Sequence, residues 1–305
     1  MITVHKHKKL TWIDLESPSS DEVKSLMKEY SIHPLVAEEL LKPTLRAKVD
    51  VYQNLIYLIM HFPVFEPSKK TSISCEIDFI IGKNFLITAH YKTITPLHEI
   101  IKMFEVGSLI NKENLAKNPG VIAFFVLRHL YEFALRQLDH IQLKIDEVEE
   151  NIFKGHEKDM VEIISITRRD VLDFQKAIYA HESILSSFTA VGEKFFGPGF
   201  IHYTNVIMGE LSRVKSLLEN CRATIESLQN TNDSLLTEKV NDIMRTLTTV
   251  SFITFPLMLF AALFGMSNIV SMPIVGARGD FWIILGVMLV SASGLLILFK
   301  RKKWL

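Results

Sequence analysis

The sequence of 305 residues lacks most of the patterns that mark enzymes. It has no Gly-rich phosphate-binding loop, no His-Glu-x-x-His zinc motif and no Gly-x-Ser-x-Gly nucleophile turn, so the common nucleotide-binding and catalytic signatures are missing. Its only cysteines, Cys75 and Cys221, lie too far apart in the chain to form a metal-binding spacing. We therefore expect neither an enzyme nor a bound cofactor, and two free thiols in a reducing compartment.

Net charge is also lacking, because Lys and Arg together number 34 and Asp and Glu together number 34. This balance argues against nucleic acid as a partner. The first ten residues carry lysines but no apolar segment follows them, so we expect no signal peptide and a cytoplasmic first part. His5 and His7 alternate with lysines that would repel a cation, which predicts a solvated terminus.

Residues 1–118 predict a cytoplasmic α/β domain. Leu10 to Leu15 is expected to form a strand, and helices are expected from Ser20 to Tyr30 and after Pro34. Runs rich in β-branched and aromatic residues predict further strands at 51–65, 72–81 and 85–91, with a turn at Gly82-Lys83-Asn84.

Residues 119–200 predict a cytoplasmic helical part. One helix is expected to begin at Pro119-Gly120, and a second to run from about 158 to 187. Gly192 and Gly197-Pro198-Gly199 are expected to break the chain again. The carboxylates Glu147, Glu149 and Glu150 resemble a metal cluster, but such a run on a helix predicts a solvated face.

Residues 201–266 contain one helix breaker, Pro256, and predict a single stalk helix about 100 Å long at 1.5 Å per residue. Its first part carries a seam of residues spaced three and four apart, with one polar member. Self-assembly and packing on the chain's own helices both explain the seam, whose members are Leu211, Val214, Leu218, Cys221, Ile225, Leu228, Asn232 and Leu235.

Two uncharged segments, 246–266 and 281–299, are each long enough to cross a hydrocarbon core of ~30 Å. The outer loop between them, 267–280, has only two charged residues, Arg278 and Asp280, whereas the tail 300–305 is basic. The positive-inside rule predicts a multi-pass protein of the inner or plasma membrane, in contact with lipid, with both termini in the cytoplasm.

A polar stripe follows one face of the first membrane helix. It is made of Asn241, Met244, Thr248, Ser251, Phe255 and Met258. The stripe fits a pore lining, and it also fits contacts between helices, since Ser and Thr join helices in membranes. Because two helices cannot enclose an ion path, the pore interpretation requires an oligomer of the chain.

The chain resembles the CorA family of magnesium transporters over nearly its whole length. The matching stretches in the first part are Trp12-Ile13-Asp14-Leu15, Ile32-His33-Pro34-Leu35, Glu38-Glu39, Arg46 to Tyr52, Glu76 to Ile80 and Gly82 to Thr88. Those near the end are Asn241 to Thr248, Phe255-Pro256-Leu257, Phe264-Gly265-Met266, Met272-Pro273 and Lys302-Lys303-Trp304-Leu305.

The resemblance implies a CorA-like, funnel-shaped homopentamer whose pore is lined by the first membrane helix. It also implies a pore mouth built as a ring of Gly-Met-Asn, where this chain reads Gly265-Met266-Ser267-Asn268. Counting back from Met272-Pro273 favours Ser267 as an inserted residue, with Asn268 in the ring; the alternative is that Ser267 replaces the Asn.

The resemblance further implies that Asn268 and Asn241 contact the metal through its hydration shell, and that Met244 and Leu247 form an apolar constriction. The primary hypothesis is uptake of Mg²⁺ driven by the membrane potential. The alternatives are a Zn²⁺, Co²⁺ or Ni²⁺ transporter of the same superfamily, or a non-conducting scaffold anchored in the membrane. Ile274 and Val275 follow Met272-Pro273 where the family often has acidic residues.

Overall fold

The structure, a computed structural model, describes residues 2–7, 10–105, 118–265 and 279–301. The chain forms two compact units, Met1–Asn230 and Thr231–Leu305. The described strands all belong to the first unit, and they are β1 (Ile2–His7), β2 (Leu10–Glu16), β3 (Lys48–Val51), β4 (Leu55–Glu66), β5 (Thr71–Gly82) and β6 (Phe85–His90). The described helices are α1 (Ser20–Tyr30), α2 (Pro34–Glu39), α3 (Thr95–Glu105), α4 (Pro119–Phe153), α5 (Glu157–Ile178), α6 (His181–Phe196), α7 (Phe200–Gly265) and α8 (Asp280–Arg301).

The strands form one sheet in the order β1-β2-β6-β5-β4-β3. The pair β2–β6 is parallel and the other neighbours are antiparallel. Helices α1 and α2 supply one face of the core, whose buried members are Ile13, Leu15, Val23, Leu26, Ile32, Val36, Ala37, Leu40, Leu55, Tyr57, Ile59, Ile80, Ile87 and Ala89. Burial of each large apolar side chain stabilises the fold by about 1.5–3 kcal/mol.

The opposite face of the sheet is covered by α4 and α5, which pack on β4 and β5. Because both faces are covered, β4 is apolar along most of its length rather than alternating. Buried polar contacts also join the layers. The carboxylate of Asp170 on α5 accepts a hydrogen bond of 2.6 Å from the backbone N–H of Ser72.

Local sequence signals set several helix ends. Ser19 and Glu22 form a capping box at α1, in which the backbone N–H of Ser19 donates to Glu22 Oε2 at 2.8 Å. Asn118 caps α4 by accepting from the backbone N–H of Gly120 at 2.8 Å, with Pro119 in the first turn. The predicted starts of both helices are confirmed.

Two predictions about the sheet were wrong. The predicted strand 51–65 is interrupted, because β3 ends at Val51 and β4 begins at Leu55. The N-terminus is not a solvated tail, because it forms β1 along β2. His5 is buried, with its ring centroid 6.4 Å from that of Trp12 on the neighbouring strand.

Two predictions about the helices were also wrong. The predicted helix 158–187 is split into α5 and α6 by a turn at Tyr179 and Ala180. This turn directs His181 into the core, where its Nε2 donates to the carbonyl of His61 at 2.8 Å. Gly192 lies inside α6 rather than breaking it; a Cβ at this position would come within 2.4 Å of the Phe200 ring.

The seam of α7 packs on the chain's own helices over its first part, since Leu211 to Leu228 of the seam are buried. The thiol of Cys221 donates to Gln142 Oε1 of α4 at 3.4 Å, and Arg168 of α5 bonds Gln229 at 3.2 Å. Cys75 and Cys221 are both free and buried, as predicted. Glu147, Glu149 and Glu150 are exposed, which confirms the solvated face.

Candidate ion pathway

The second unit contains the C-terminal part of α7 and the whole of α8. α7 runs without interruption through Pro256 to Gly265, and α8 has 22 residues, about 33 Å at 1.5 Å per residue. Both helices are long and apolar enough to cross a bilayer. The predicted segment 281–299 lies within α8, and 246–265 of the first predicted segment lies within α7.

The stripe of α7 presents accessible side chains on one face of the helix. Its members Met244, Phe255 and Met258, and the neighbouring Leu247, are each exposed by more than half in the single chain. Asn241 and Thr248 are exposed as well, and Ser251 is half-buried. Residues three and four apart lie on one face of a helix, so several copies of α7 around an axis can direct this face at a central path.

The hydroxyl groups along this part of α7 bond to its own backbone. Ser251 Oγ donates to the carbonyl of Leu247 at 2.9 Å, and Thr249 and Thr246 make the same bond four residues back at 2.9 Å each. This bond uses the hydroxyl hydrogen and leaves oxygen lone pairs free. Ser251 on the stripe can therefore accept hydrogen bonds from the outward-pointing waters of a hydrated cation.

The hydrogen bonds of these hydroxyl groups test whether the stripe makes polar contacts between α7 and α8. In the described part of the second unit, the bonds of Thr246, Thr249, Ser251 and Thr254 all return to α7. Contact with α8 is instead apolar, with the ring centroids of Phe252 and Phe299 6.2 Å apart. Within the described residues, the hydroxyl hydrogen of Ser251, the stripe member among these four, is therefore not used in a polar contact between α7 and α8.

Two apolar side chains, Met244 and Leu247, lie near the N-terminal end of the stripe, at the positions of the predicted constriction. Met244 and Leu247 lie between Asn241 and Thr248 and offer no strong hydrogen-bonding group. An apolar ring of this kind gives a hydrated ion no replacement for lost water contacts, and such constrictions gate by dewetting. Nearby, Arg245 pairs with Asp242 at 3.6 Å, an exposed contact of small energetic value.

The predicted pore mouth, Gly265 to Asn268, lies mostly outside the described residues. α7 ends at Gly265, and Met266, Ser267 and Asn268 follow it beyond the described range. The pathway within the described residues has no cage of charged ligands, since these residues contain no group of three or more His, Cys, Asp or Glu able to hold a metal ion.

One chemically notable pair in the first unit was not singled out from the sequence. Glu76 and Asp78 on β5 are both buried, and burial followed by the charge of Glu76 raises the pKa of Asp78 well above its ordinary value. The available signal was the pattern Glu76-Ile77-Asp78 in an otherwise apolar strand. Two carboxyl groups at alternate positions of a buried strand must share one face.

An α/β unit, a long helix α7 whose C-terminal part is a candidate membrane span, and a second candidate span in α8 are typical of a membrane protein with a large soluble part. The family model described as CorA-like Mg²⁺ transporter protein matches residues 7–301, so the chain belongs to this family of divalent cation transporters. It is accordingly a transporter and not an enzyme.

Individual relatives match over most of their lengths. The cobalt/magnesium transport protein CorA of Thermotoga maritima is 25% identical over 299 residues, which cover 97% of this chain and 83% of that protein. The putative metal ion transporter YfjQ of Bacillus subtilis is 26% identical over 296 residues, covering 96% and 89%. The complete structure of the CorA magnesium transporter from Methanocaldococcus jannaschii superimposes with a TM-score of 0.85 at 20% identity, covering 99% and 93%. This last likeness establishes the fold.

Proposed function

We propose that this chain takes up Mg²⁺ through a central pore in a CorA-like homopentamer, with the membrane potential as the driving force. The observation that carries the proposal is the uncharged, accessible stripe on α7 in a chain of this family. An inside-negative potential contributes ~4.6 kcal/mol per 100 mV for a doubly charged ion, which drives uptake without ATP.

The oligomer follows from the number of spans. Two helices per chain cannot surround a path, whereas five copies of α7 place five stripes around one axis. The number five comes from the family resemblance. The basic tail, with Lys300 and Arg301 at the end of α8, supports cytoplasmic termini and an outer loop at 267–280.

In this mechanism the ion keeps most of its hydration shell. Mg²⁺ dehydrates reluctantly, so neutral oxygens recognise the waters around it rather than the bare ion. Asn268 at the mouth and Asn241 at the cytoplasmic end supply amide groups, and Ser251 supplies a hydroxyl oxygen between them. Met244 and Leu247 form the apolar ring that closes the path.

Co²⁺ is the second candidate cargo, supported by relatives named as cobalt/magnesium transport proteins. Neutral oxygens do not separate Mg²⁺ from Co²⁺, Ni²⁺ or Zn²⁺ by ligand softness. Selection in such a pore depends on the size and hydration of the ion. A competition assay with each of the four ions distinguishes these cargoes.

The mouth is tested by a matched pair of substitutions, Asn268→Ala and Ser267→Ala, assayed for Mg²⁺ uptake in liposomes. If Ser267 is inserted and Asn268 forms the ring, Asn268→Ala abolishes uptake and Ser267→Ala leaves most of it. Deletion of Ser267 restores Gly-Met-Asn and preserves uptake. The reverse order of effects assigns the ring to Ser267, and unchanged uptake in both variants contradicts the proposed mouth, provided that oligomer size is unchanged.

A further inference from the structure

The buried carboxyl pair in the first unit is placed by the register of the sheet. In the β4–β5 ladder, Glu76 lies opposite His61 and Asp78 lies opposite Ile59. Ile59 belongs to the core covered by α1 and α2, so both carboxyl groups point toward that layer. Their residues are 6% and 0% exposed, respectively, so water does not solvate them.

Only one carboxylate oxygen of Glu76 has hydrogen-bonding partners among the described residues. Its Oε2 accepts from the backbone N–H of Thr44 at 2.6 Å and lies 3.2 Å from His61 Nε2. His61 Nε2 also donates to the carbonyl of Thr44 at 2.9 Å. Glu76 Oε1 is buried, and no donor among the described residues bonds to it.

Asp78 accepts weaker hydrogen bonds than Glu76. Its Oδ2 accepts from the hydroxyls of Tyr91 and Tyr57 at 3.2 and 3.5 Å, both long for such bonds. The hydroxyl of Tyr91 also lies 3.3 Å from the carbonyl of Glu39, so its one proton is shared. Asp78 Oδ1 is also buried and has no donor within the part of the chain that the structure describes.

The surrounding charges do not neutralise an ionised Asp78. Lys48 on β3 pairs with Glu39 and Asp50 at 2.8 and 2.6 Å, and its Nζ lies 5.3 Å from the Tyr57 ring centroid. His61 faces Glu76. Burial works to lower the pKa of His61, but bonds to Glu76 and the Thr44 carbonyl raise it overall. Burial and then the charge of Asp78 raise the pKa values of Tyr57 and Tyr91, so both remain donors.

We propose that Glu76 and Asp78 share one proton, carried on Asp78 Oδ1 and donated to Glu76 Oε1, and that the pair is a proton-binding site of the first unit. A single proton gives both unsatisfied oxygens a partner. It also removes one of two like charges from a water-free site, where they would repel each other strongly. A Mg²⁺ ion fits less well, because it requires near-octahedral oxygen coordination.

The site makes the stability of the first unit depend on pH. In the unfolded chain, Asp78 loses its proton near its ordinary pKa. In the folded state the proton stays bound to higher pH, so above the ordinary pKa the folded state binds more protons than the unfolded state. Stability from this pair is therefore full at low pH and is lost as pH rises through the folded pKa. Release of the proton leaves an added negative charge between β4, β5 and α2.

The test is infrared titration of the full-length protein in detergent, in which a protonated carboxylic acid gives its own C=O stretching band. We expect this band at neutral pH in the parent and in the control Asp21→Asn, whose carboxyl is 98% exposed. Asp78→Asn, which mimics the neutral acid, removes the band. Glu76→Gln removes the neighbouring charge and shifts the titration of the band to lower pH.

Absence of the band in the parent at neutral pH overturns the proposal, as does a band that is unchanged in Asp78→Asn. Thermal unfolding supplies a second measurement, because the midpoint of the parent falls more steeply with rising pH than that of Asp78→Asn. If Asp78→Asn does not fold, Glu76→Gln decides. A band that titrates in this variant at the same pH as in the parent shows that Glu76 has no part, and contradicts the shared proton.

Discussion

The two units of the chain place the same kinds of side chain in opposite surroundings. In the first unit Ile56, Ile59 and Ile80 are fully buried by the chain itself. In the second, Leu289 and Val290 of α8 are 60% and 74% exposed. The first unit therefore folds by burying its own apolar surface, whereas the described part of the second leaves much of its apolar surface exposed, as expected of helices that face lipid.

The polar groups differ in the same way. In the first unit they join distant elements: His181 Nδ1 accepts from the Tyr131 hydroxyl at 2.7 Å, and its Nε2 donates to the carbonyl of His61. In the second unit, Ser251 bonds the backbone four residues earlier on the same helix. Polar contacts therefore specify packing in the first unit, and in the second they satisfy groups that lipid cannot.

The largest expected effect comes from two isoleucines of the same helix, Ile225 and Ile243, which are 0% and 67% exposed. Ile225→Ala leaves a cavity and lowers the free energy of unfolding by about 2–5 kcal/mol. Ile243→Ala changes it by less than about 0.5 kcal/mol. Denaturant unfolding of the full-length protein measures both. Equal losses would contradict the comparison and place Ile243 in a contact between chains.

A second pair of substitutions compares an exposed leucine of the predicted membrane span with an exposed leucine of the first unit. Leu289→Arg in the middle of α8 costs about 3 kcal/mol of membrane insertion, whereas Leu45→Arg, at 104% exposure in the first unit, costs almost nothing. A reporter fused after Leu305 stays in the cytoplasm with Leu45→Arg and moves partly outside with Leu289→Arg. A reporter that stays inside in both cases argues against α8 as a span.

The third prediction concerns buried His181, whose pKa is lowered to about 4 by burial. In the unfolded state His181 binds a proton near pH 6.5, whereas in the folded state it stays neutral down to about pH 4. The free energy of unfolding of the parent therefore decreases as pH falls from 6.5 toward 4. His181→Gln keeps both neutral hydrogen bonds and does not titrate. The difference in the free energy of unfolding between the parent and His181→Gln should therefore decrease by about 3 kcal/mol as pH falls over this window. A gap that is constant with pH would show that His181 is not buried as a neutral ring.

The smallest expected effect is on the apolar ring of the second unit. Leu247→Ser or Met244→Ser admits water and raises the Mg²⁺ flux about tenfold for each 1.4 kcal/mol of barrier removed. Ile253→Ser is the control, since residue 253 lies about 180° around α7 from Met244 and is half-buried. A fall in flux with intact assembly in the ring variants rejects the gate.

Local signals made much of the fold predictable. The capping residues Ser19 and Asn118 mark helix starts, and the uncharged segments mark the spans. The failures have two causes. β1 was missed although its partner β2 follows it directly, because its lysines were interpreted as a solvated terminus. The break before α6 places His181 against His61, 120 positions earlier in the chain, and this contact is not visible in a short window of sequence.

The candidate site was predictable in part for the same reason. Helical periodicity alone places Asn241 and Ser251 on one face of α7. The number of copies and the register of Ser267 and Asn268 stay predictions. The pairing of Glu76 with Asp78 required the strand register and the lack of donors at two buried oxygens.

The most direct test of the central claim is ion flux into liposomes that contain the purified full-length protein, under an imposed inside-negative potential. Mg²⁺, Co²⁺, Ni²⁺ and Zn²⁺ are compared at equal concentration, with protein-free liposomes as the control. The account predicts Mg²⁺ influx that increases with the potential and needs no ATP. Influx of another ion without Mg²⁺ would contradict the proposed cargo, and no influx of any of the four would contradict transport itself.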